Sequence, residues 1–135
     1  MLSFLYIERL KLFCPLGEKM KFVIKHYGII LSTLATAYLH ISLYPDFSFT
    51  LNGIGYIALL GAYLLPIPFF QDKEIHLILW WGLVVYTIAT ILLWVFIGDM
   101  RFVAGTSSAT GYYAKAAEVV LLAFLWSDKP KRESE

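Results

Sequence analysis

Between Ile75 and Ile97 the chain carries no Asp, Glu, Lys or Arg, and its one histidine, His76, lies at the start of that run. At about 1.5 Å of rise per helical residue, a stretch of this length crosses the roughly 30 Å hydrocarbon layer of a bilayer. Two further stretches are equally free of formal charge. Tyr27 to Tyr44 closes at Pro45-Asp46, and Leu51 to Phe70 has Pro66 and Pro68 near its end. A fourth, Gly111 to Trp126, is shorter and carries Lys115 and Glu118. The composition of the 135 residues agrees with these runs: 59% are apolar and 16% charged, against about 45–50% and about 25% in soluble domains. A chain this small cannot hide so much apolar surface from water. The aromatic content of 17% and the low charge exclude intrinsic disorder. A formal net charge of +1 gives no case for a nucleic-acid partner. The one cysteine, Cys14, leaves no internal disulfide and no cysteine-based zinc site.

The expectation is an all-α protein: a four-helix transmembrane bundle, up-down, with short loops and spans at about 27–44, 51–70, 75–97 and 111–126. Residues 23–127 form the membrane domain, 1–22 an N-terminal cytoplasmic segment and 128–135 a polar cytoplasmic tail. Asp46, Ser48 and Asn52 are cap candidates for the second helix. Gln71-Asp72-Lys73-Glu74 reads as a polar hinge, and 99–110, with Gly105-Thr106-Ser107-Ser108, as the longest loop. Connections this short force neighbouring helices to run antiparallel.

Orientation follows from lysine and arginine alone. Nine lie on one predicted side, at Arg9, Lys11, Lys19, Lys21, Lys25, Lys73, Lys129, Lys131 and Arg132; Arg101 and Lys115 are left for the other. Both termini are therefore expected in the cytoplasm, in a multi-pass protein of the cell inner membrane or an internal membrane. Lys21 and Lys25 before an apolar run containing Ala35-Thr36-Ala37 resemble a signal peptide, but the run continues to Tyr44 and its flank is long, so an uncleaved helix is expected. Met20-Lys21 is a second plausible translation start beside Met1. Leu2, Leu5, Leu12 and Phe13 among Glu8, Arg9 and Lys11 otherwise suit a short interfacial helix.

In lipid no hydrophobic force draws helices together, so small residues that allow close backbone approach mark the contacts. Ser32 with Thr36, Thr33 with Ala37, and Ala58 with Ala62 have the spacing of such pairs. Gly28, Thr33, Ala35 and Thr36 also match Gly82, Thr87, Ala89 and Thr90 at the same offsets, a faint similarity between the first and third spans that chance among apolar residues explains better than duplication.

The sharpest polar signal is Lys115 with Glu118, three apart on one helical face with Gly111 and Ala114. An ionisable residue inside a span is costly and marks a site or a structural pair. His40, near the end of the first span, belongs to the same half of the membrane, and Tyr112 lies close to that surface. A polar site of Glu118, Lys115, His40 and Tyr112 is expected. His26 and His76 both fall at cytoplasmic span ends, where two histidines on different helices suit haem or a pigment. No zinc-protease, nucleophile-elbow, phosphate-loop or paired-cysteine motif is present, so no catalytic residue, metal or cofactor is expected.

Leu51-Asn52-Gly53-Ile54-Gly55-Tyr56, Leu64-Leu65-Pro66, Tyr86-Thr87-Ile88-Ala89-Thr90-Ile91 with Trp94 and Gly98, and Gly111-Tyr112 with Lys115 and Glu118 together resemble small four-span membrane proteins of unassigned function from bacteria and archaea. The resemblance covers about residues 20–127. It implies the four-span topology and the Tyr-Lys-Glu face, and no activity. Small multidrug exporters of similar size have an essential acid in the first helix, which this first span lacks. The reading reached here is a non-enzymatic accessory or assembly subunit of a membrane complex, with the bilayer and a complex partner or a second copy as its partners. The alternatives are a small proton-linked carrier using Glu118, and a haem- or pigment-binding subunit.

Overall fold

The computed structural model describes residues 24–65 and 68–130; the expectations for the N-terminal segment, Cys14, Met20 and the last five residues lie outside them. The described residues are all helical, with four long helices and one short one. These are α1 (24–41), α2 (Phe47–Leu64), α3 (Pro68–Gln71), α4 (Lys73–Ile97) and α5 (Ser107–Ser127).

Local chemistry accounts for the helix ends. The Asp46 carboxylate accepts from the Ser48 backbone N–H at 3.0 Å, so α2 starts four residues before the expected Leu51. It ends at Leu64 rather than at Phe70, because the residue before Pro66 is pushed out of the helical region and Leu65 is extended. Asp72 caps α4 in the same way, accepting from the Glu74 N–H at 3.0 Å. α5 starts at Ser107 rather than Gly111: Gly105 takes the left-handed conformation (φ 80°), and Thr106 stands at the cap position with its hydroxyl 2.8 Å from that of Ser108. α1 ends at residue 41, and 42–45 form a turn that includes Pro45 instead of a last helical turn.

α1 packs on α2 and α5, and α4 packs on the same two helices, so the bundle is a ring in the order α1, α2, α4, α5. Glycine allows the closest approaches to α1. A Cβ on Gly53 would lie 2.7 Å from the Ile41 side chain and 2.8 Å from the Ala37 carbonyl, and one on Gly28 would lie 2.5 Å from the Phe124 ring. The buried face of α1 is a clean helical stripe of Ile29, Ser32, Thr33, Thr36, Ala37 and His40, which includes all four small residues expected there. On α2 the contact face is Gly53, Tyr56, Leu60 and Tyr63. Ala58 is exposed, Ala62 half-buried, and Leu59 packs against the core, so the expected Ala58–Ala62 contact is not the one the bundle uses. The reason is that α2 is apolar on every side, and its face is set by where Tyr56 and Tyr63 find hydrogen-bond partners.

Among the described residues, α2 and α4 are long and apolar enough to cross a membrane, two helices rather than the four expected from the sequence. α1 and α5 carry more polar residues, with His40 on the first and Lys115 and Glu118 on the second.

Candidate functional site

The charged and polar side chains of the interior gather near one end of the bundle, where α1 and α4 finish and α2 and α5 begin. Glu118, on the inward face of α5, has none of its surface exposed. One turn before it, Lys115 reaches back with its Nζ 2.8 Å from both carboxylate oxygens. The third Nζ hydrogen goes to the Thr90 carbonyl on α4 at 3.2 Å, so every donor of the ammonium has an acceptor. The Lys115 side chain is 11% exposed.

α1 closes the other side of the carboxylate. The Thr36 hydroxyl donates to Glu118 Oε1 at 3.4 Å, and His40 Nε2 stands 3.6 Å from the same oxygen. That spacing is too long for a hydrogen bond but close enough for charge to be felt. His40 Nδ1 is 2.7 Å from the Thr36 carbonyl. A carbonyl only accepts, so Nδ1 carries a hydrogen and Nε2 is the nitrogen turned toward the carboxylate.

α2 and α4 complete the cluster. The Thr90 hydroxyl gives its one hydrogen to the Thr87 carbonyl at 2.8 Å, so the Tyr56 hydroxyl, 2.8 Å away, is the donor to Thr90. The Tyr56 ring lies 6.0 Å from that of His40. Among the described residues no buried side-chain nitrogen or oxygen lacks a partner.

Three of the four residues expected at the site are thus brought together: Glu118, Lys115 and His40. Tyr112 is not with them. Its hydroxyl donates to the Met100 carbonyl at 2.6 Å and its ring stands edge-on to Trp94 and Phe102, so it ties the 98–106 loop to α5. Tyr112 follows Gly111 by one residue, a turn of about 100° away from the Gly111–Lys115–Glu118 face. Thr36, Thr90 and Tyr56 take its place. One signal in the sequence pointed to the threonines, the match of Thr33 and Thr36 with Thr87 and Thr90. All four are buried, and Thr33 and Thr87 each return their hydroxyl to the carbonyl four residues earlier at 2.7 Å.

A half-open cavity of about 510 Å³ leads to this cluster between α2, α4 and α5. His40, Thr90 and Lys115 line its inner part; Phe49, Asn52, Tyr86 and Trp94 line its sides. Tyr86 is anchored by donating to the Asn52 carbonyl at 3.1 Å.

His26 and His76 lie at the opposite end. Both rings pack against Tyr63, at 6.2 and 4.5 Å between centroids, and the Tyr63 hydroxyl donates to Asp128 at 2.6 Å. Among the described residues no three His, Cys, Asp or Glu side chains stand close enough together to share a metal ion. Compared with known proteins, the chain matches no family model, no curated protein and no solved structure.

Proposed function

We propose that the chain is a multi-pass integral membrane protein, a non-enzymatic accessory or assembly subunit, with four spanning helices and both termini on the cytoplasmic side. The observation that carries this reading is the outer surface. Large apolar residues turn outward on every long helix, among them Ile24 and Tyr38 (71 and 72% exposed) and Phe96 and Ile97 (81 and 80%), while the interior combines an apolar core around Trp80, Leu83 and Leu121 with Thr33, Thr36, His40, Thr87, Thr90 and Glu118. A water-soluble bundle turns its apolar stripe inward; an exterior of this kind needs lipid or another protein against it. The Lys and Arg bias supports the orientation. Closure of the polar cluster supports a structural role for it, since its groups bind one another across all four long helices. Fusion of a reporter active only outside the cytoplasm should give signal at Ser107 and none after Glu135. Signal at Glu135 would mean an odd number of crossings. Native electrophoresis of membranes solubilised in mild detergent should then place the chain in a species larger than a monomer.

A second reading, a proton-linked carrier using Glu118, is favoured by one observation: the cavity reaches His40 and Lys115, the two charged or chargeable partners of that carboxylate. It requires that Glu118→Gln leave a folded, correctly inserted protein without its pH-dependent activity.

A further inference from the structure

The cavity beside the cluster is more than its vestibule. We propose that it binds an uncharged amphiphile, with a hydroxyl or carbonyl head held at Asn52 and a hydrocarbon tail leaving past Leu93 and Ile97.

Its volume of about 510 Å³ lies in the range of small-molecule sites, about 300–1,000 Å³. The charge balance sets the character of the head. Lys115 has given all three hydrogens, two to Glu118 and one to the Thr90 carbonyl, so the pair is neutral and has no donor left for an anion. An anionic or cationic head would bring an unmatched charge into a site walled by Phe49, Leu51 and Trp94. Asn52 differs from the cluster. Its carboxamide is half-buried on the cavity wall and has no hydrogen-bond partner among the described residues. An amide offers two donors and an acceptor, which suits a hydroxyl or a carbonyl oxygen. The path of the tail follows from the rim: Leu51, Leu93 and Ile97 line the cavity and are exposed, so the site opens past apolar side chains. The choice of an uncharged head rests on the reading in which Glu118 is ionised and paired with Lys115.

The test uses the full chain in detergent at pH 8, with thermal unfolding followed against the concentration of three probes: 1-decanol, 2-decyl-1,4-benzoquinone and decanoate. A ligand that binds the folded state alone raises the midpoint with concentration. At least one neutral probe should do so saturably, and decanoate should need about tenfold more or fail. Asn52→Leu should weaken the response about tenfold, the loss of roughly one hydrogen bond. Ala89→Phe, at an exposed position on the cavity wall, should abolish the response while leaving the midpoint without probe unchanged, and Leu93→Trp serves the same purpose if Ala89→Phe fails to fold. A response to decanol alone assigns the head to hydroxyl lipids, and one to the quinone alone to ring-bearing carbonyl lipids. Absence of saturation by both neutral probes, equal binding of decanoate, or an unchanged response in the blocked variant overturns the proposal.

Discussion

The two ends of the bundle hold their helices together by different means. At one end, Glu118, Lys115, His40 and Thr36 form a buried network of charge and hydrogen bonds beside an open cavity. At the other, large rings fill the space. Trp80 is wholly buried with its indole N–H on the Leu125 carbonyl at 2.8 Å, Tyr63 lies against His26 and His76, and Lys129 sits 5.0 Å from the Trp126 ring. Lys25 adds a bond to the Ser127 carbonyl at 2.8 Å. The aromatic end spreads its attachment over many contacts, each of modest worth. The polar end concentrates it, and a buried network loses far more when one member goes than it gains from its own formation.

The largest expected effect tests that asymmetry directly. Glu118→Gln should lower stability by about 3–5 kcal/mol, because the Lys115 charge is left buried without its counter-charge. A double variant with Lys115→Met and Glu118→Leu should recover most of the loss, and unfolding in mixed micelles followed by circular dichroism measures both. Full stability of the single variant would remove the clamp and leave the carrier reading. Thr33→Leu comes next, at about 1–3 kcal/mol, since the extra atoms have no room on the buried face of α1. At the aromatic end, Tyr63→Phe should cost about 1 kcal/mol, one hydrogen bond to a half-buried partner with the ring packing retained. A loss there equal to that of Glu118→Gln would mean that the two ends are alike. The smallest effect is expected at Ala58→Leu, within about 0.5 kcal/mol, because Ala58 lies on the outer face. In native electrophoresis the same variant asks a separate question, since loss of a larger species without loss of stability would place α2 at a contact with another chain.

Much of this arrangement is legible in the sequence. Three charge-free runs and the shorter run from Gly111 to Trp126 set the number and order of the long helices, and the spacing of Ser32 with Thr36 and of Thr33 with Ala37 marks the inner face of α1. α2 offers no such contrast: when both faces are apolar the period disappears, so small-residue spacing points to Ala58 and Ala62 while the contact face is set by Tyr56 and Tyr63. The start of α5 was hidden for another reason. Thr106, Ser107 and Ser108 have the composition of a loop, yet the same hydroxyl side chains are those that begin helices. The meeting of Lys115 and Glu118 followed from their spacing on one helix, but their reach to the Thr90 carbonyl and the Thr36 hydroxyl depends on how three helices sit together, which local pattern does not encode. The cavity is a property of what the side chains leave empty, and no residue announces it.

The order of the cluster along the chain bears on how such a protein is made. On the proposed four-span topology, α5 taken alone would carry Lys115 and Glu118 into hydrocarbon, where a charged residue costs up to about 2.5–3.5 kcal/mol. Their pairing lowers that cost, but Thr90 and Thr36, which complete it, belong to helices synthesised earlier. On that topology the last helix enters lipid favourably only after the three long helices before it have gathered to receive it. A protein of that topology whose α1 or α4 is misplaced would hold α5 outside the bilayer, so correct packing of the earlier helices becomes the condition for the last crossing.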